Sequence, residues 1–188
     1  MRLPALFGAL LLAAACGTGL EDPTGSGDGG STGAAPTAAA QTWLDLHNQV
    51  RAHPQPPPPS PLPPLTWSTG AAQVAQGWAD NCNYQHNAGR GPRGENIAAS
   101  APPGRWGISD VVGAWAGEVS DYDYSNNTCA PGKDCGHYTQ VVWRDTIRAG
   151  CAHRLCNTNS PFGSQAPDWD FWVCDYEPPG NVIGRKPY

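Results

Sequence analysis

The chain changes character twice along its length. From Leu3 to Ala15 it is almost unbroken apolar sequence, and from Gly17 to Ala40 large apolar side chains all but vanish. From Gln41 onward, apolar positions recur with regular periods to Tyr188. Thr42 is placed to cap a first helix, with Asp45 at capping-box spacing, and Trp43, Leu46, His47 and Val50 share one face. Pro54 ends that helix, and the proline-rich stretch Pro54 to Pro64 predicts extended polyproline II on the surface. A second helix is expected from near Ser68, burying Ala71, Ala75, Trp78 and Cys82.

A third helix is expected after Ser109, with Val112, Trp115, Val119 and Tyr122 in register. Gly113 and Gly117 inside it cost about 1 kcal/mol each, so close packing against a neighbour is expected there. A short helix is read over Tyr138 to Arg144, and strands over Ala149 to Leu155 and Asp170 to Glu177, the latter rich in aromatic and β-branched residues. Helices interspersed with strands predict a sheet covered by helices.

The apolar run behind Arg2 spans thirteen residues, about 20 Å of helix against a bilayer core of about 30 Å. It therefore reads as an export signal, residues 1–15, rather than a membrane anchor. Ala13-Ala14-Ala15-Cys16 resembles a bacterial lipobox, with Ala13 where a leucine is usual. Lipidation of Cys16 is the expectation, because two or more acyl chains anchor stably where one does not. Residues 16–40 then form a flexible, lipid-anchored linker, and 41–188 the folded domain. Gly17 supplies no acid for inner-membrane retention, so the outer membrane or cell surface is expected, with plain secretion as the alternative. Gly29-Gly30-Ser31-Thr32-Gly33 matches a hydrolase nucleophile elbow in letters only, since no strand or helix can flank it there.

Seven cysteines less Cys16 leave six: Cys82, Cys129, Cys135, Cys151, Cys156 and Cys174. In an exported domain these predict three disulfides, with fifteen pairings open, each bridge stabilising by roughly 2–5 kcal/mol. No Cys-x2-Cys pair is present, which argues against a structural zinc-thiolate site. A net charge of −5 without a basic stripe excludes nucleic acid as a partner.

The chemistry is concentrated in four segments: His47-Asn48-Gln49-Val50-Arg51, Gly94-Glu95-Asn96-Ile97, Gly136-His137-Tyr138-Thr139-Gln140-Val141-Val142-Trp143, and Cys174-Asp175-Tyr176-Glu177-Pro178-Pro179-Gly180-Asn181. In this order they resemble the signature motifs of the CAP superfamily, which groups cysteine-rich secretory proteins, venom antigen-five proteins and class-one plant pathogenesis-related proteins. The resemblance runs from about Gln41 to Tyr188, and the cysteine spacing is nearest to the plant branch. It implies an α+β fold, an α-β-α sandwich with a small, mostly antiparallel sheet between helical layers. It implies a cavity lined by His86, Glu95, Glu118 and His137, and pairing of Cys82 with Cys156, Cys129 with Cys135, and Cys151 with Cys174. Two departures stand out. Asp175 occupies a position that usually carries no negative charge, and the segment between Cys156 and Cys174 is long.

Imidazole and carboxylate ligands together suit zinc or another divalent cation. The blander alternative is that the four residues only hydrogen-bond within a polar core. The resemblance implies an extracytoplasmic binding module for a lipid or sterol-like ligand; a metal-assisted or Ser-His-Glu hydrolase and a purely structural surface protein are the competing readings. His47 and Arg51, one turn apart, are read as a structural network. His153 is read as solvent-facing on an edge strand, and Pro178 to Tyr188 as an ordered tail.

Overall fold

The computed structural model describes residues 37–188; the export signal, Cys16 and nearly all of the linker lie outside the described residues. The first helix, α1 (Ala38–Ala52), starts a turn before Thr42. Thr37 caps it by accepting the Ala40 amide, and Ala38 to Ala40 are strong helix formers. Thr42 sits inside the helix and donates its hydroxyl back to the Ala38 carbonyl. The buried face is Trp43, Leu44, His47 and Arg51, with Leu46 and Val50 at its margin.

The proline-rich stretch bends at Gln55-Pro56 and again at Pro59-Ser60, so it is not one straight polyproline helix. It is pinned where it bends. Tyr138 accepts the Gln55 amide, and Arg144 donates to the carbonyls of Ser60 and Pro61. Strand β1 (Thr66–Trp67) leads into α2 (Thr69–Ala79), capped by the Ser68 hydroxyl. Ala71, Ala75 and Ala79 form its fully buried stripe, while Trp78 is half-buried at the edge and donates its indole N–H to Gln85. Cys82 lies beyond the helix end at φ +48°.

Strand β2 (Gly94–Ser100) carries no β-branched or aromatic run and was not expected as a strand. Then follow α3 (Ile108–Gly117), a 3₁₀ turn over Glu118–Asp121, the hairpin β3 (Tyr122–Asp123) and β4 (Thr128–Cys129), and α4 (Gly136–Val141). Strands β5 (Arg148–Cys156) and β6 (Trp169–Glu177) complete the main sheet, in the order β1-β5-β6-β2. The β5–β6 and β6–β2 pairs are antiparallel, and only the short β1–β5 pair is parallel. The close packing expected at Gly113 and Gly117 is absent, since a side chain added at either would meet open space. The close approach occurs instead at Gly150, where a Cβ would lie 2.2 Å from the Ala72 nitrogen and would push α2 off the sheet.

Alternation along β6 builds both layers. Trp172, Cys174 and Tyr176 pack with α1, α3 and α4, whereas Trp169, Phe171 and Val173 pack with α2. The fold is α+β, an α-β-α sandwich around a small, mostly antiparallel sheet. Three disulfides staple it: Cys82–Cys156 joins the end of α2 to the end of β5, Cys151–Cys174 crosses β5 to β6, and Cys129–Cys135 closes the loop before α4. The tail is ordered. Tyr188 stacks on Tyr124 at 4.8 Å between ring centroids and donates to the Pro56 carbonyl.

Two buried polar residues tie the layers together. Arg51 has no carboxylate partner among the described residues; its guanidinium donates to the carbonyls of Pro63, Val141, Trp143 and Thr146. His47 must carry its proton on Nδ1, because the Trp43 carbonyl, 2.8 Å away, can only accept. Nε2 therefore accepts from the Tyr176 hydroxyl at 2.8 Å, and Tyr176 in turn accepts from Asn96 Nδ2. Burial pushes the His47 pKa down from 6.5 to about 4, partly opposed by the Trp43 carbonyl.

On the α2 face lies a buried carboxyl group. Asp175 is fully buried, neither of its carboxyl oxygens has a hydrogen-bond partner among the described residues, and its register partner on β2 is Glu95. Burial, and then the charge of Glu95, raises its pKa from 3.8 to about 7. The two residues pull stability in opposite directions as pH changes. The unfolded chain protonates His47 below pH 6.5 while the folded chain stays neutral to about 4, so His47 withdraws about 3 kcal/mol of stability as pH falls through that window. Folded Asp175 keeps its proton up to about pH 7 where the unfolded chain has lost it from 3.8, so it withdraws roughly 4 kcal/mol as pH rises. Asp175→Asn removes only the second effect. In urea unfolding at a series of pH values, the variant gains on the wild type by roughly 3–4 kcal/mol between pH 4 and pH 7.5; parallel profiles would show that Asp175 is ionised in the folded chain throughout.

Candidate functional site

The four candidate residues form two carboxylate–histidine couples. His86 follows Cys82, in the loop between α2 and β2, and its Nδ1 lies 2.8 Å from Glu95 Oε1 on β2. The same oxygen accepts the Asn87 amide, while Glu95 Oε2 is buried without a partner among the described residues. The Glu95 side chain is wholly enclosed, and the His86 side chain above it is 55% exposed, so the imidazole faces solvent from an enclosed carboxylate base.

Glu118 begins the 3₁₀ turn after α3 and is fully engaged by the start of α4. Its Oε1 lies 2.6 Å from His137 Nδ1, and its Oε2 accepts the amides of His137 and Tyr138, each at 3.0 Å. The carboxylate thus takes up two donors that the short helix leaves free at its start. The His137 ring lies nearly parallel to Trp115, 18° between planes and 6.0 Å between centroids, and the His137 carbonyl accepts from Asn96. Two sides of the ring are fixed by the indole and the carboxylate.

An ionised carboxylate can only accept, so in both couples Nδ1 bears a proton, and in the neutral imidazole Nε2 is left with its lone pair. Neither Nε2 has a hydrogen-bond partner among the described residues. A carboxylate on Nδ1–H with a free, basic Nε2 is the arrangement that second-shell acids impose on metal-ligating histidines. In each couple the imidazole would supply nitrogen to a divalent cation of the zinc class, and the glutamate would fix its tautomer and orientation.

Among the described residues, Glu118, Asp134 and His137 each place one ligand atom within 4.8 Å of the others; no group of three with that spacing includes His86 or Glu95. Asp134 was not anticipated from the sequence. Its only signal there is an acid three residues before His137 and next to Cys135. His47, Cys151 and Cys174 also cluster, but both imidazole nitrogens are engaged and the sulfurs are joined in a disulfide, so that group has no ligand to give.

His153, on the open part of β5, is partly exposed as expected, yet it is not free. Its Nε2 contacts Asp170 at 2.8 Å and its ring stacks on Trp172 at 3.9 Å between centroids. The long segment between Cys156 and Cys174 builds a cleft of about 410 Å³ with the loop after β2, lined by Ala101, Pro102, Pro103, Phe162, Ala166 and Pro167. Phe162 is 47% exposed at its edge.

Comparison with known proteins places this geometry. Residues 44–176 match the model of the cysteine-rich secretory protein family, CAP. Mouse Peptidase inhibitor 16 is 45% identical over 79% of this chain, which spans 29% of that longer protein. Tomato Pathogenesis-related protein 1A1 is 42% identical, over 76% of this chain and 73% of its own length. Among solved structures, venom allergen-like protein 4 of Schistosoma mansoni superposes with a TM-score of 0.64 at 25% identity, over 81% of this chain and 95% of that one. Na-ASP-1 superposes with a TM-score of 0.66 at 25% identity, over 80% of this chain and 41% of its own. With the sandwich, the three disulfides and this match over most of its length, the chain belongs to the CAP family of cysteine-rich secretory proteins.

Proposed function

We propose that this chain is an exported binding module whose polar site takes a divalent cation, zinc by preference, at the carboxylate-clamped histidines. The observation that carries the reading is the pair of free Nε2 atoms, each on an imidazole whose Nδ1–H is held by a glutamate. Neither histidine is spent on the core, in contrast to His47, whose two nitrogens are both used internally. The bound cation would supply positive charge and an open ligand position for an anionic partner. Glu118 would hold His137 in the productive tautomer.

The second ligand class is lipid or sterol-like, and the cleft beside Phe162 favours it. The cleft lining is mainly alanine, proline and aromatic carbon, and about 410 Å³ lies within the range of small-molecule sites. Trp106 lines a depression of about 240 Å³ that shares Ala101 and Phe162 with the cleft, and offers an intrinsic reporter. Export, and anchorage through lipidated Cys16 to the outer membrane or cell surface, belong to the same proposal; they rest on the apolar run and the alanines before Cys16.

Calorimetric titration with zinc is expected to give saturable one-site binding, abolished in His137→Ala and weakened roughly 10–100-fold in Glu118→Gln, with the unfolding midpoint of each variant as control. Absence of binding to the wild type would make both couples structural. A fluorescent sterol is expected to show energy transfer from tryptophan that Phe162→Asp removes; equal transfer in that variant would place any lipid elsewhere. In a bacterial host that lipidates exported proteins, Cys16→Ser is expected to move the protein from the membrane pellet to the soluble fraction, and an unchanged distribution would remove the anchor.

A further inference from the structure

We propose that the open edge of β5, from Cys151 to Leu155, docks a second copy of this chain, extending the sheet across a two-fold axis at His153. This surface lies outside the ligand readings above and does not depend on them.

The edge arises where β1 stops. Trp67 pairs with Ala149, the Ser68 amide donates to the Ala149 carbonyl, and Ser68 then caps α2, which carries the chain off the sheet. In an antiparallel ladder the main-chain groups of successive residues point to alternate sides. Ala149 faces β1, so the N–H and C=O groups of Cys151, His153 and Leu155 also point away from β6, while Gly150, Ala152, Arg154 and Cys156 bond to it. None of these outward groups has a hydrogen-bond partner among the described residues. A row of unpaired main-chain donors and acceptors is a template for a further strand.

The stretch is also rigid. Cys151–Cys174 ties its start to β6, and Cys82–Cys156 ties the residue after its end to the end of α2. Between them, His153 Nε2 lies 2.8 Å from Asp170 and the ring stacks on Trp172. Little ordering is left to be done on association.

A second copy fits this edge for two reasons. The stretch is its own complement: antiparallel pairing about His153 sets His153 against His153, and Cys151 of each copy against Leu155 of the other. Each of these pairs exchanges both of its hydrogen bonds, and no outward group is left over. The charges agree as well. Arg154 and Asp80 lie 3.6 Å apart on the α2 side of the strand, both half exposed, so each copy brings one charge of either sign to the junction. Leu155, 57% exposed in the single chain, gains a neighbour in the pair. Because the same edge is used twice, the assembly closes as a dimer instead of growing.

The test is sedimentation velocity of the purified chain from micromolar to millimolar concentration, with residue-resolved amide hydrogen exchange at both ends of that range. A monomer–dimer equilibrium is expected, in which the amides of Cys151, His153 and Leu155 exchange fast in dilute solution and slow by roughly tenfold or more when concentrated. Leu155→Lys, a change to an exposed side chain, is expected to weaken the dimer by roughly tenfold or more at an unchanged unfolding midpoint. If that variant proves unfolded, the three wild-type amides decide alone. A chain that stays monomeric with these amides fast overturns the proposal. So does a dimer in which they remain fast and Leu155→Lys has no effect, which would place the contact elsewhere. Slow exchange of the same amides in the monomer would mean that another segment of the chain already lies on the edge, and would overturn it too.

Discussion

The structure depends on one buried hydrogen-bond chain. Asn96 on β2 donates to Tyr176 on β6, Tyr176 donates to His47 on α1, and His47 donates to its own helix at Trp43. The same Asn96 amide holds the carbonyl of His137 on α4. Four elements are thereby fixed to one another, three of them through fully buried groups. Each of these groups left without its partner would cost about 1–3 kcal/mol, so the arrangement admits little slippage between layers. It also requires a neutral His47, which burial enforces. The functional consequence is reached in a single bond, because the residue whose carbonyl ends the chain carries the imidazole of the candidate site.

Around that chain the disulfides and the small residues have complementary tasks. Cys151–Cys174 lies in the same layer as Tyr176 and locks β5 to β6 there. On the opposite face, Gly150 and the alanine stripe of α2 let the helix descend onto the sheet, and Cys82–Cys156 fastens its end. Asp175 is the exception to this economy. It is buried opposite a second carboxylate, with no hydrogen bond to compensate, and its raised pKa is the response expected of a carboxyl group in that setting.

Much of this was legible in the sequence, for physical reasons that also explain what was not. The faces of α1 and α3 show as apolar periodicity, and β6 as a run rich in aromatic residues. The start of α1 was missed because Ala38 to Ala40 look like linker composition, whereas alanine is also the best helix former once Thr37 supplies a cap. Strand β2 was missed because its buried positions include Glu95 and Asn96, whose burial makes sense only with His86 and Tyr176 beside them. Gly113 and Gly117 misled in the other direction, since a glycine in a helix need not mark a contact. The candidate histidines and glutamates were named from motifs resembling a family. Their division into couples depends on contacts between residues 9 and 19 positions apart. Asp134 stood out in sequence only as an acid beside Cys135; its nearness to Glu118 and His137 appears once the loop and α4 are folded.

The central claim concerns proton placement: glutamates hold the Nδ1–H of His86 and His137, and the two Nε2 atoms are left without a partner among the described residues. Long-range nitrogen–proton correlation spectra of the chain labelled with ¹⁵N-histidine, recorded over an alkaline pH series, read the protonation and tautomer of each ring directly. The account predicts the Nδ1–H form for His86 and His137, as for His47. Finding Nε2–H in His86 and His137 would contradict it, because the lone pairs would then face the glutamates and no nitrogen would remain for a cation.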